Sequence, residues 1–310
     1  MIPIRLIGPL LGCLAAAVPA LGADEAMEML MRSAVAARHL DYSGVFLYET
    51  AGRMETSRIT HIWSDGHEHE KLERLDGPPR ELIRHDDEIT CVNPADRTLH
   101  VERGRGRRFF PALVPNGAAG LGEMYEAKFE RVERIAGIDC RVVRLKPRDA
   151  FRYGRKMCIE PTHGLILHAT LRNDGDEILE QFAFTQLSVG TRLDPSLVKP
   201  SGSVDGWTVE PAPADPKPGG GWVVGNLPPG FRKVFQFQRG DSEHMVYSDG
   251  LAAISVFIEP LRGNITPGGA RVIGASSIAQ RNVLDRRVTV VGEVPVAAVT
   301  RLADSVSRAP

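Results

Sequence analysis

Cysteine is scarce. Four in 310 residues cannot make a disulfide-dense scaffold. An excess of charge of one sign is also missing: 38 basic side chains face 39 acidic ones, for a formal net charge of −1. That balance excludes a chain-wide footprint for nucleic acid. Glycine (31) and proline (22) stay far below the level of a low-complexity chain, which argues against global disorder. The sequence has no G-x-S-x-G elbow, no P-loop and no G-x-G-x-x-G after a strand. What remains is a globular composition, 43% hydrophobic and 25% charged, at a length that suggests two domains.

The first segment reads as an address. Arg5 is followed by an apolar run from Leu6 to Val18 and then by Ala20-Leu21-Gly22-Ala23, the signal-peptide order of charge, apolar core and small residues. Cleavage is expected near Gly22 or Ala23. The apolar run is shorter than the roughly 20 residues of a membrane span, and no later run approaches one. Cys13 fits a lipoprotein site poorly. An exported protein in an oxidising compartment follows.

Past the leader, Met27, Leu30, Met31, Ala34, Val35 and Arg38 recur at helical spacing and make one apolar stripe. It reads as core or as a flexible lining for a ligand. Roughly ten short β-rich segments follow between 45 and 187, separated by turn signals such as Asp65-Gly66 and Asn173-Asp174-Gly175-Asp176. So many antiparallel strands cannot stay flat, and the sheet is expected to curl around a hollow. Residues 199–221 hold five Pro and five Gly and read as a linker between a 24–198 domain and a 222–310 domain. The second domain shows four strands and a terminal helix from Pro295, with Val296, Val299, Leu302 and Val306 on one face. A hairpin centred near Asp149 sets Cys140 opposite Cys158, which predicts a Cys140–Cys158 disulfide with Cys91 free; the alternative is a pair of buried, unlinked cysteines, since a one-residue slip would separate the side chains.

Candidate chemistry is thin. His67-Glu68-His69, with His61 nearby, is the best metal candidate, since i, i+2 histidines in a strand face the same way; no spaced Cys or third ligand supports it, so the segment reads as a solvated strand start and no metal is expected. Asp86-Asp87 and Asp174/Asp176 sit in turns, which favours turn chemistry over acid–base catalysis. Arg103, Arg105, Arg107 and Arg108, spaced by glycines and followed by Phe109-Phe110-Pro111, suit an anionic amphipathic partner such as a lipid phosphate, or a solvated loop. On the early strand, either Val45 and Leu47 or Phe46 and Tyr48 point into the hollow; Phe182 and Phe184 share one face of a late strand.

Several segments, in order, carry a resemblance. They are Leu75-Asp76-Gly77-Pro78-Pro79-Arg80-Glu81, Arg134 to Cys140, Pro147-Arg148-Asp149 with Arg152-Tyr153-Gly154, Leu227-Pro228-Pro229-Gly230-Phe231, Tyr247-Ser248-Asp249-Gly250-Leu251 and Val291-Gly292-Glu293-Val294-Pro295. Together they resemble the MucB/RseB family of periplasmic regulators of the sigma-E envelope-stress pathway. The resemblance implies a mainly β, α+β chain: a half-open β-barrel of the lipoprotein-carrier (LolA/LolB-like) type with helices on its concave face, then a smaller mixed α/β domain. It implies no enzymatic activity and no cofactor. Its partners would be the periplasmic part of a MucA- or RseA-like anti-sigma factor, shielded from the site-1 protease, and a lipid or lipopolysaccharide that releases it; members also self-associate. Candidate contact residues are Phe46, Tyr48, Phe182 and Phe184 in the hollow, Arg105, Arg107, Arg108, Phe109 and Phe110 in the basic loop, and the Tyr247, Ser248, Asp249, Gly250 and Leu251 turn, read as an exposed loop. A lipid or lipoprotein carrier is the rival reading, and a hydrolase with an unfamiliar site a third.

Overall fold

The computed structural model describes residues 21–103, 109–115, 120–211, 217–261 and 269–309. The chain enters through helix α1 (Leu21–His39), which runs through the expected cleavage point. The helix buries Ala26, Leu30, Ser33, Ala34 and Ala37, a narrow face of mostly small residues that lets it lie close on the sheet. Val35, expected in the apolar stripe, is 53% exposed. The buried stripe is rotated toward the alanines, because close packing rewards small residues more than it rewards a β-branched one at the helix flank.

A meander follows: β1 (Tyr42–Thr50), β2 (Arg53–Ser64), β3 (His67–Arg74), β4 (Glu81–His85), β5 (Glu88–Asn93) and β6 (Thr98–Arg103). After the one-turn helix α2 (Leu121–Met124) comes a second: β7 (Tyr125–Ile135), β8 (Ile138–Pro147), β9 (Gly154–Ile159), β10 (Ile166–Arg172) and β11 (Ile178–Val189). Tight hairpins join the strands; at the β2–β3 turn, Asp65 and Gly66 hold left-handed φ of 54° and 84°. β1 pairs with β11, which fuses the meanders into one open sheet of twelve strands. Its last strand, β12 (Thr208–Glu210), comes from the Pro/Gly-rich stretch and runs parallel to β6.

That stretch is therefore not a free tether. Lys71 Nζ donates to Ser201 Oγ at 2.7 Å, and His100 Nδ1 lies 2.8 Å from the Glu210 carboxylate. A proline- and glycine-rich segment has little to bury, but its backbone can still complete a sheet edge.

The second lobe is a seven-stranded antiparallel sheet in the order β13-β15-β16-β17-β20-β19-β18, built from β13 (Lys217–Pro218), β15 (Arg232–Arg239), β16 (Ser242–Ser248), β17 (Ala253–Pro260), β18 (Ala270–Ile273), β19 (Ser276–Val283) and β20 (Arg286–Gly292). Helix α3 (Val296–Asp304) covers it with Ala298, Val299, Leu302 and Ala303. Val296 is 39% exposed, and Val306 lies beyond the helix in β21 (Val306–Arg308), paired with β14 (Trp222–Val224). The helical face is thus one turn shorter than the sequence spacing suggests, and Pro295 caps the helix instead of starting it.

Cys140 and Cys158 are bonded across β8 and β9 with Cα atoms 5.3 Å apart, and Cys91 is free and buried. The register differs from the expected one: Val142, not Cys140, stands opposite Cys158. The bridge spans a diagonal pair on one face, which the sheet twist brings close.

Candidate functional site: the aromatic hollow and the joint between the lobes

The two ways of facing β1 resolve through its pairing. Phe46 stands opposite Phe184 and Tyr48 opposite Phe182, and these four side chains join the core while Val45 and Leu47 do not. Gly44 makes this packing feasible, since a Cβ there would come within 2.6 Å of the Phe184 ring. The hollow over this face is filled by the chain itself. Phe110, 2% exposed, stacks on Phe182 with ring centres 5.3 Å apart and meets Phe46 and Phe184 at 5.2 and 4.8 Å. Ala112 and Val114 follow it into the core. Phe110 is therefore a plug, not an exposed aromatic, because burying a phenyl ring among three others gains more than a wet loop would. Arg105, Arg107 and Arg108 lie outside the described residues.

Beside the plug the sheet keeps an unfilled cleft of about 150 Å³, lined by the apolar Leu72, Leu82, Ile89 and Phe109 and by the charged Arg74, Arg80, Glu55 and Glu102. The Arg84 guanidinium lies 5.3 Å from the Phe109 ring centre. Arg84 belongs to a buried polar row that crosses the sheet. It donates to Glu70 at 3.3 Å, and His61, stacked on Tyr42, stands opposite Glu70 and within 3.3 Å of Glu68. Burial pushes the Glu70 carboxyl up, against the pull of the Arg84 charge.

The expected histidine group accordingly splits. His61 and Glu68 are buried on one face of β2 and β3, while His67 and His69 lie on the other, next to His85 and Asp86 of the following turn. Backbone donation from Glu68, then the His67 contact, holds the Asp86 carboxyl below the usual range. Burial and the neighbouring His85 hold the His69 imidazole down.

The Tyr247–Leu251 turn is not an exposed loop. Tyr247 packs in the core of the second lobe, and Asp249 is 4% exposed. The Asp249 carboxylate accepts hydrogen bonds from Arg152 Nε at 2.6 Å and the Tyr125 hydroxyl at 3.2 Å, both from the first lobe. Its other oxygen accepts the backbone N–H groups of Leu251 and Ala252. Arg152 also donates to Asp149 and to the Pro229 carbonyl, and its guanidinium faces the Phe231 ring at 4.9 Å. Burial works against the Arg152 charge, but the two aspartates outweigh it and its pKa rises.

Gly230, at φ 77°, lets this knot close: a Cβ there would meet Met124 Sδ at 2.6 Å. The Pro147–Gly154, Leu227–Phe231 and Tyr247–Leu251 segments thus meet at one joint. An apolar contact reinforces it, with Ala275 set among Tyr153, Leu171 and Leu179. Arg152, Tyr125 and Gly230 were not singled out as site residues from sequence, although two of them lie inside the ordered motifs.

Next to the joint a groove of about 350 Å³ runs between the lobes, lined by Thr50, Ala51, Ile178, Glu180 and Gly274. Two carboxylates, Glu49 and Glu180, line it, and of these Glu180 is buried. Burial, then the Glu293 charge of the second lobe, pushes its pKa up to about 7, against Arg155 and a 3.2 Å hydrogen bond donated by the Tyr48 hydroxyl. Among the described residues no helix is long and apolar enough to cross a membrane.

Comparison with known proteins matches this architecture along nearly its whole length. Residues 25–202 match the MucB/RseB N-terminal domain and residues 216–307 the MucB/RseB C-terminal domain. The chain is 34% identical to the sigma factor AlgU regulatory protein MucB of Pseudomonas aeruginosa, over 96% of this chain and 95% of that one. It is 24% identical to the sigma-E factor regulatory protein RseB of Haemophilus influenzae, over 98% of both. The crystal structure of MucB in complex with MucA(peri) superposes with a TM-score of 0.75 at 30% identity, over 92% of this chain and 99% of that one; MucB alone superposes at 0.65. On this sequence, fold and length of match, the chain belongs to the MucB/RseB family.

Proposed function

We propose that this chain is an exported regulator that binds the periplasmic segment of a membrane anti-sigma factor, shields it from proteolysis and so restrains sigma-E-type transcription. The observation that carries the reading is the near-full-length superposition on MucB crystallised with MucA(peri). The better score against the complex than against MucB alone supports a lobe arrangement close to the partner-bound one. The reading assigns the protein no reaction; its work is binding. Its compartment is the periplasm, reached through the leader in residues 1–23, and self-association belongs to the same reading.

An anionic amphiphile is the releasing signal in this scheme. The cleft offers the apolar side chains of Leu72, Leu82 and Ile89, and Arg80 offers positive charge beside them, while Arg74 is paired with Glu55 at 2.7 Å and Glu102 also lines the cleft, so an anionic headgroup would compete with these carboxylates for the arginines. A ligand that prefers the free regulator removes it from its partner by mass action, and only by the difference of its two affinities. The plugged hollow favours this smaller cleft, together with the interlobe groove, as the place where such a ligand acts. A lipid carrier would need only the first sheet, so the second lobe and its buried joint speak for the regulator.

The test is a pull-down of the mature protein with the periplasmic segment of the anti-sigma factor, with and without lipopolysaccharide. Capture that is lost on adding lipopolysaccharide supports the whole scheme. Capture that lipopolysaccharide leaves unchanged removes the lipid step, and no capture in either condition removes the regulator itself.

A further inference from the structure

Strand parity and two tight turns assemble an imidazole–carboxylate group at the corner of β3, β4 and β5. β3 begins on His67 directly after the Asp65-Gly66 turn and alternates, so that Glu68 and Glu70 are buried while His67 and His69 stand on the opposite face. Pairing with β4 sets His85 directly across from His69. Ring centres lie 4.7 Å apart for His69 and His85 and 5.5 Å apart for His67 and His85. Asp86, at the left-handed φ of 52°, closes the group. One carboxylate oxygen accepts the Glu68 backbone N–H at 2.9 Å, and the other lies 2.8 Å from His67 Nδ1.

One ligating atom from each of His67, His85 and Asp86 falls within 4.8 Å of the other two. Ligand atoms around a tetrahedral zinc, each about 2.0–2.2 Å from the ion, stand about 3.3–3.6 Å apart. Side-chain rotation alone closes that difference, because His67 and Asp86 have 55% and 45% of their side chains in solvent.

We propose that this corner binds one divalent transition-metal ion of the zinc class, held by His67, His85 and Asp86, with His69 beside them as a further imidazole within reach. Two imidazoles and one carboxylate suit zinc, nickel or copper; magnesium and calcium require a shell of six or more oxygens that this corner lacks. The Glu68 N–H supplies the outer hydrogen bond that keeps the carboxylate aimed at the imidazoles. A bound ion would pin the β3–β4 hairpin to the β4–β5 turn and leave a coordination position open to water or to a donor from another molecule. This inference stands apart from the regulatory reading, since none of its residues lines the cleft or the joint.

The test titrates zinc chloride into the untagged, metal-stripped, full mature chain by calorimetry. One equivalent should bind saturably. His85→Ala and Asp86→Asn should each weaken binding at least tenfold, and the double variant His67→Ala/His85→Ala should abolish it. His100→Ala, beside Glu210 at another edge, should bind as the wild type does. Circular dichroism of each variant checks that the fold is kept, and shifts in the histidine ring protons of the wild type on zinc addition supply a readout that needs no variant. No saturable uptake by the wild type, or wild-type affinity in the folded double variant, overturns the proposal.

Discussion

The aromatic hollow and the interlobe joint are both built from residues far apart in the chain, and both exclude water, yet they hold by different physics. In the hollow, Phe46, Phe110, Phe182 and Phe184 share many weak contacts. Dispersion and burial are roughly additive, so losing part of one ring weakens the cluster by degrees. At the joint, one guanidinium and one carboxylate sit with no side-chain exposure at all. Their attraction only offsets the cost of taking both from water, and removing Arg152 leaves Asp249 with no counter-charge, whereas Arg152 without Asp249 still keeps Asp149. The hollow is therefore graded and the joint close to all-or-none. The second kind of contact fixes how the lobes sit, because they then dock in one register or not at all.

The largest effect should come from breaking the joint. Arg152→Ala leaves Asp249 buried with hydrogen bonds but no counter-charge and should cost about 3–5 kcal/mol of stability. Urea unfolding of the mature protein reads this as a fall in midpoint at unchanged slope, or as two transitions once the lobes part. Replacing both partners with apolar residues, Arg152→Met with Asp249→Leu, should be milder than the single change. If the single variant is as stable as the wild type, the joint is not all-or-none.

Next in size is the groove beside the joint. The Glu180 carboxyl, raised to about 7 by burial and by Glu293, keeps a proton in the folded protein that the unfolded chain loses near pH 4.3. Its contribution to stability is full below that pH, declines as pH rises through about 7 and is gone above. Glu180→Gln should thus match the wild type near pH 4 and exceed it by about 3 kcal/mol at pH 8. Thermal melts across that range check it, and a wild-type-like decline in the variant would sink the assignment.

The plug comes third. Phe110→Leu keeps an apolar side chain but gives up part of the ring stack, and should cost about 1–2 kcal/mol. Chemical denaturation should show a single transition shifted in midpoint. Splitting into two transitions would mean that the hollow, like the joint, is all-or-none, and the contrast between them would fail.

Local signals carried most of the strands and the disulfide, because alternation and turn chemistry act over a few residues. What they could not carry is pairing across long separations. Ser248-Asp249-Gly250 has the composition of an exposed turn, yet the partners of Asp249 lie 97 and 124 residues away. Phe110 follows a run of glycines and arginines that reads as wet, and only the fold reveals three phenylalanines waiting for it. The turn at Asp86 likewise shows no ligand chemistry until β4 places it 2.8 Å from His67, 19 residues upstream. Strand β12 escaped for the opposite reason: Thr208–Glu210 adds backbone and almost no buried side chain, so no hydrophobic pattern marks it.

The smallest effect sharpens the comparison from the other face of the same strand. Val45 precedes Phe46 but lies between Arg58 and Gln186 of the neighbouring strands, outside the core cluster. Val45→Thr keeps β-branching and similar volume, so the strand retains its local preference. The added hydroxyl meets no buried apolar surface, and the backbone carbonyl of Val45 still accepts the Thr185 hydroxyl at 3.1 Å. Stability should stay within about 0.5 kcal/mol of the wild type. The same substitution chemistry one residue later, Phe46→Thr, should cost several times more, because it opens a hole under the Phe110 plug. Equal losses at the two positions would mean that both faces of β1 are packed, and that the hollow is not the one-sided feature the register implies.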